Sequence, residues 1–133
     1  MVYDERNKSK RKGIKGILYN FVFSWQGLTY AYMHEKSMWI HAVLSIITVM
    51  LGLFLNLRGI EWLIIMIVLG AILSIELLNT GIESVVDMVT HDYHELAKVA
   101  IDTGSADTFV ASTIGVVTIL SIYIPKFGEI CCK

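Results

Sequence analysis

The chain has 133 residues, 55% of them hydrophobic and only one a proline, with a mean hydropathy of +0.61, which is too apolar for an ordinary soluble domain of this length. The net charge of -1 conceals an asymmetry, because Arg6, Lys8, Lys10, Arg11, Lys12 and Lys15 crowd the start while acids collect between the second and third of three long apolar runs. Together these features exclude a soluble globular fold, leave an all-α membrane protein, and give no reason to expect a nucleic-acid partner.

In chain order, residues 1–13 (MVYDERNKSKRKG) are charged and lack apolar periodicity, which predicts a flexible basic arm near anionic headgroups. Residues 14–133 then form a single membrane domain. Its first part, residues 14–34, mixes Ile, Leu, Phe, Trp and Tyr with Lys, Asn, Ser and Gln, the composition of an amphipathic helix lying in the membrane interface, with Trp25, Tyr30 and Tyr32 at headgroup level. The apolar runs 38–57, 60–78 and 106–124 each approach the ~20 residues that cross roughly 30 Å of hydrocarbon as a helix. Nothing after Gly70 stops the second helix, which is expected to run from about 60 to 89, past the bilayer, and the third is expected over about 105–124, ended by Pro125.

The basic lead places the N-terminus in the cytoplasm by the positive-inside rule. The link 56–59 then lies outside, the polar connection 88–104 inside, and the tail outside. No small-residue cleavage site precedes the first run, so the N-terminus is expected to remain in the mature protein. Cys131 and Cys132 are adjacent, a spacing that seldom pairs without strain, and they are read as incidental. Three thin helices have little core of their own, and self-association is expected to bury their polar faces.

The second helix carries the chemistry. At 100° per residue, Glu76, Asn79, Glu83 and Asp87 fall within roughly 80° of one another, one polar ridge on a helix whose other faces are Ile, Leu, Val and Met. A carboxylate inside a membrane is expensive unless it faces a partner, water or a metal. The plainer alternative makes Glu83 and Asp87 a solvated face and Glu76 a helix contact, but Asn79 adds no solubility and can orient a carboxylate or hold a phosphate oxygen. Glu35 sits at the depth of Glu83, and oxygen ligands converging from two helices suit Mg²⁺ shared with substrate phosphates. The polar connection adds His91, Asp92, Tyr93, His94, Glu95, Lys98 and Asp102 below that site. Two His at spacing three lack the further ligands of a zinc set, and neither a P-loop nor a kinase glycine loop occurs. A proton or cation pathway is the other reading of buried acids, but residues 51–57 offer no polar route to the opposite face.

The string ELLNTGIESVVD, followed by YHELAKVAIDTGSA, resembles the signature of the small prokaryotic diacylglycerol kinases and undecaprenol kinases, a likeness covering residues 21–124. The pattern E-x-x-N-[ST]-x-I-E-x-x-V-D at the end of a second membrane helix is specific. The resemblance implies a homotrimer of three-span protomers in the bacterial plasma membrane, with a surface helix and a cytoplasmic-face active site. It implies transfer of the γ-phosphoryl of MgATP to a membrane lipid alcohol. Glu76 matches the catalytic base and Asn79 the supporting amide. Glu35 and Glu83 match the metal ligands, and Asp92, Tyr93, His94 and Asp102 the nucleotide-contacting positions. Ser24, Trp25 and Ser105 fall where lipid head and catalytic centre meet.

The chain departs from that pattern in places. Ile101 stands where the family has a lysine before Asp102, with Lys98 one turn earlier as the candidate replacement. Gly16 and Phe23 occupy positions where some members carry arginine and tyrosine, with Lys15 available for the former. Asp107 and Thr108 replace small apolar residues. The stretches GIEWLIIMIVLGA and IYIPKF resemble the Gram-positive branch, which favours undecaprenol. Diacylglycerol is the alternative acceptor, and a catalytically impaired membrane scaffold is the alternative role that Ile101 motivates.

Overall fold

The computed structural model describes residues 14–132, apart from the side chains of Lys15 and Cys131, so the expected basic arm 1–13 and the readings of Lys15 and Cys131 lie outside the described residues. All regular structure described is helical: α1 (Ile14–His34), α2 (Lys36–Phe54), α3 (Gly59–Val89) and α4 (Glu95–Cys131). α1 with Glu35 forms one compact unit and α2 to α4 form another, and each is described by itself.

Along α1 the hydroxyls fold back on their own helix. Ser24 Oγ donates to the Asn20 carbonyl at 2.9 Å and Thr29 Oγ1 to that of Trp25 at 2.8 Å. Tyr19 stacks on Phe23 with ring centroids 6.3 Å apart, and Tyr30 on His34 at 4.1 Å. Ile17, Phe21 and Trp25 are exposed apolar side chains on this helix, as an element that lies against an apolar phase requires.

In the second unit α2 stops at Phe54, earlier than the expected 57, because the chain closes a Schellman turn. The Leu57 N–H donates to the Gly52 carbonyl and the Asn56 N–H to that of Leu53, both at 3.2 Å, with Asn56 in the left-handed region at φ 52°. Asn tolerates that conformation better than most side-chain-bearing residues. α3 then starts at once: Glu61 Oε2 accepts the Arg58 N–H at 2.6 Å, satisfying a donor at the helix start.

α4 is longer than expected at both ends. It begins at Glu95, ten residues before the expected 105, because His94 caps it: His94 Nδ1 accepts the Leu96 N–H at 3.2 Å, and Glu95 lies in the positive first turn. The polar connection shrinks to residues 90–94. Pro125 does not end the helix, which continues to Cys131. Its missing N–H takes one donor from the Ser121 carbonyl, a loss that membrane helices tolerate when neighbours hold them. Such ties flank it: Tyr123 Oη donates to the Thr48 carbonyl of α2 at 2.6 Å, and Lys126 Nζ lies 3.6 Å from Glu61 of α3 and 3.5 Å from Glu129.

α3 and α4 pack antiparallel along a close face of α4. A Cβ at Gly115 would stand 2.6 Å from Ile72 Cδ1 and 3.2 Å from Val68 Cγ1, and one at Gly104 would stand 2.2 Å from Asn79 Oδ1. Gly104 and Gly115 are eleven residues apart, as are Val68 and Asn79, and eleven residues make just over three whole turns. The two helices therefore run alongside each other over that length with only hydrogen at the nearest points, the small-residue packing that suits a lipid environment. The core, Leu55, Leu57, Ile65, Leu69 and Tyr123, lies at the end where α2 turns into α3.

Elsewhere the three helices turn Ile40, Ile46, Leu53, Ile67, Val117 and Ile124 outward, each about half exposed or more. α2, α3 and residues 95–130 of α4 are long and apolar enough to cross a membrane. An all-α protein with this surface buries it in lipid or against further helices.

Candidate active site

On α3 the acidic ridge changes character with depth. Glu76 is 3% exposed, and its Oε2 is buried with no hydrogen-bond partner among the described residues. Among the described residues, the ionisable group within ion-pair distance of that oxygen is His41 of α2, its Nε2 3.9 Å away, beyond a hydrogen bond. One turn on, Asn79 Nδ2 donates to Glu83 Oε1 at 2.9 Å, while Asn79 Oδ1 is buried without a partner against Gly104 of α4. Thr80 and Ser84 return their hydroxyls to the carbonyls of Glu76 and Thr80, which keeps them out of the ridge. The ridge ends at Asp87, exposed on the last turns of the helix. At 1.5 Å per residue Glu76 and Glu83 are separated by about 10 Å along the axis.

Asp87 also belongs to the wall of a cleft of about 480 Å³ built by the end of α3, the short connection and the start of α4. Asp92, Tyr93, His94, Lys98 and Asp102 all line it, with Thr90, His91 and Ile101 between them. The connection is folded rather than loose: the Asp92 N–H donates to Thr90 Oγ1 at 3.1 Å. Lys98 is ion-paired with Asp102 one turn later, both more than half exposed, so the cation expected to replace the missing lysine already has a partner. Ile101 presents an apolar side chain to the same cleft.

The remaining candidates are dispersed. Ser105 is exposed on α4, and Asp107 lines not this cleft but an apolar groove between α3 and α4, with Asn79 and Gly104. Ser24, Trp25 and Glu35 belong to the first unit, where Ser24 is tied to Asn20, Trp25 is 64% exposed and the Glu35 N–H closes α1 on the Ala31 carbonyl at 2.8 Å.

Two residues of consequence escaped the sequence. His41 is the single ionisable side chain in the interior of α2, and that solitude was the available signal. Gly104 carried no signal, since its importance lies in what faces it.

What can this arrangement do? A carboxyl oxygen buried without a donor leaves a hydrogen-bonding position to be filled. The amide–carboxylate pair next to it fixes one geometry, and the cleft beyond offers aromatic, imidazole, ammonium and carboxylate groups to a polar, charged molecule.

A protein-family model described as prokaryotic diacylglycerol kinase matches residues 22–123. The undecaprenol kinase of Bacillus subtilis is 32% identical over 120 residues, covering 90% of this chain and 98% of its own. The diacylglycerol kinase of Escherichia coli K12 is 30% identical over 106 residues, 80% of this chain and 87% of its own, and that of Pseudomonas aeruginosa is 36% identical over 107 residues, 80% and 86% respectively. A match over that much of the molecule, with the acidic ridge of α3 inside it, places this chain in the prokaryotic diacylglycerol kinase family of membrane lipid kinases.

Proposed function

We propose that the protein moves the γ-phosphoryl of ATP, with Mg²⁺, to the hydroxyl of undecaprenol in the bacterial plasma membrane, working as a homotrimer with its N-terminus and active site on the cytoplasmic side. The observation that carries the reading is the α3 ridge: one helix face runs from a buried carboxylate oxygen without a partner, Glu76 Oε2, to Asp87 in the wall of the polar cleft. In this reading the lipid hydroxyl is the group that meets Glu76, and the nucleotide the one that enters the cleft.

In this reading Glu76 takes the hydroxyl proton and Asn79 holds the neighbouring geometry. Asp92, Tyr93, His94, Lys98 and Asp102 hold the nucleotide, and Ser24, Trp25 and Ser105 meet the lipid head. Phosphoryl transfer asks the protein mainly for alignment and charge neutralisation. Mg²⁺, when bound, supplies the latter at the phosphates. Among the described residues no three His, Cys, Asp or Glu side chains converge into a ligand set. Glu83 and Glu35 are each proposed as a metal ligand on the family pattern, and Mg²⁺ is usually held by one or two carboxylates together with phosphate oxygens and water.

Glu83→Gln is expected to raise the KM for MgATP about tenfold, since a neutral amide keeps the contact with Asn79 but loses the anionic ligand. Steady-state kinetics at varied Mg²⁺ checks this, and an unchanged KM would remove Glu83 from the metal site.

Support for undecaprenol comes from the Bacillus subtilis relative, which this chain matches over nearly its full length. The names of the Escherichia coli and Pseudomonas aeruginosa relatives favour diacylglycerol as the second reading. The deciding experiment measures transfer of labelled γ-phosphate from MgATP to undecaprenol and to diacylglycerol in mixed micelles, for the unmodified chain and for Ile101→Lys. The unmodified chain is expected to phosphorylate undecaprenol faster. Ile101→Lys is expected to raise the rate roughly tenfold, because a cation in the cleft wall stabilises charge on the phosphates in transit. Silence in the unmodified chain with activity in the Lys variant would favour the impaired scaffold, and silence in both would overturn the kinase reading.

A further inference from the structure

Glu76 does not stand alone. Within α2 the only ionisable side chains are Lys36 at its start and His41 in its interior, and an ionisable group in a membrane span persists when something there uses it. His41 holds Nε2 3.9 Å from Glu76 Oε2, an oxygen buried without a hydrogen-bond partner among the described residues. That separation is about 1 Å beyond a hydrogen bond, small enough for a side-chain shift to close. From α4, Ser112 turns a buried hydroxyl with no partner into the cavity of about 260 Å³ that His41, Ser45 and Thr48 line from α2. A cavity of that size bordered by an imidazole and a hydroxyl is roomy and polar enough to admit water.

We propose that His41 is the positioning and proton-accepting partner of Glu76, an inference that rests on the kinase reading of Glu76. As the lipid oxygen forms its bond to the γ-phosphorus, the bond from that phosphorus to the bridging oxygen breaks and its electron pair leaves on ADP. The hydroxyl proton passes to Glu76 Oε2. Oε2 then passes it to Nε2 of the neutral imidazole, whose other nitrogen keeps its hydrogen. The result is an imidazolium beside a carboxylate, a pair that each group stabilises for the other in a low dielectric. The imidazolium, on a side chain 17% exposed, returns the proton to water, and Glu76 is again ionised for the next turnover.

The test uses the purified full chain in mixed micelles with MgATP and whichever of undecaprenol or diacylglycerol the unmodified protein phosphorylates. His41→Gln keeps a polar side chain of similar reach but cannot accept a proton. It is expected to lower kcat between about tenfold and a hundredfold with the KM for ATP and lipid within about twofold. His41→Gly is expected to be as slow, and added imidazole to restore part of its rate, which a packing role cannot explain. An unmodified chain silent toward both lipids overturns the kinase reading itself. An active unmodified chain whose kcat survives His41→Gln overturns the role of His41 alone. Loss of activity together with the thermal transition in His41→Gln, with no response of His41→Gly to imidazole, would likewise assign His41 to packing and overturn the proposal.

Discussion

Glu76→Gln is expected to lower phosphoryl transfer to the lipid by about a thousandfold while nucleotide affinity stays within about twofold. The substitution preserves volume and replaces only the oxygen that can take a proton. Glu76 lies about 10 Å along α3 from Glu83 and does not line the cleft at the helix end, so nothing that would hold ATP changes. Stability is expected to hold or rise, since the variant removes a charge from a site 3% exposed and leaves no buried ion uncompensated. Labelled-phosphate transfer gives the rate, titration with a fluorescent ATP analogue gives the affinity, and a thermal melt gives the stability. A variant that loses nucleotide binding in step with transfer would contradict the separation of base and nucleotide site along one helix face. A variant that still transfers at a tenth of the rate would show that the lipid hydroxyl reaches the phosphorus without help from this carboxylate.

Much of the second unit could be read from its residues. The long continuation of α3 to Val89 was legible because apolar periodicity persists with no helix breaker, and the ridge of Glu76, Asn79, Glu83 and Asp87 because four polar side chains on one face of an oily helix violate its pattern. The ends of α4 were not. His94 reads as a loop residue until its ring is seen accepting the Leu96 N–H, and Pro125 reads as a stop until Tyr123 and Lys126 are seen tying the helix to α2 and α3. The cross-helix pairings were equally hidden. His41 lies 35 residues before Glu76 and Gly104 lies 25 after Asn79. Periodicity says which residues of one helix share a face, but only the rotation and depth of two helices together decide what that face meets.

The Gly104 contact yields the second large effect. Gly104→Ala is expected to lower phosphoryl transfer between about tenfold and a hundredfold while changing the melting transition little. The new methyl would stand 2.2 Å from Asn79 Oδ1, closer than a side-chain contact can hold, and 3.3 Å from its Cγ. Either α4 moves away from α3 or the Asn79 side chain turns aside. Rotation of one short side chain is cheaper than parting helices that also meet at Gly115, and it breaks the 2.9 Å bond from Asn79 Nδ2 to Glu83. Alanine in place of glycine meanwhile favours the helix by up to about 1 kcal/mol, offsetting the lost hydrogen bond in the folding balance. Activity has no such compensation, because a misplacement of about 1 Å in an aligning group can lower a rate a hundredfold. A double-mutant cycle separates the two routes: if Gly104→Ala acts through the amide, it adds almost nothing to Asn79→Ala, whose short side chain leaves room for the methyl. Additive losses, or a fall in the melting transition that tracks the loss of activity, would mean that the helices themselves have shifted and that Gly104 serves packing rather than the geometry of Asn79.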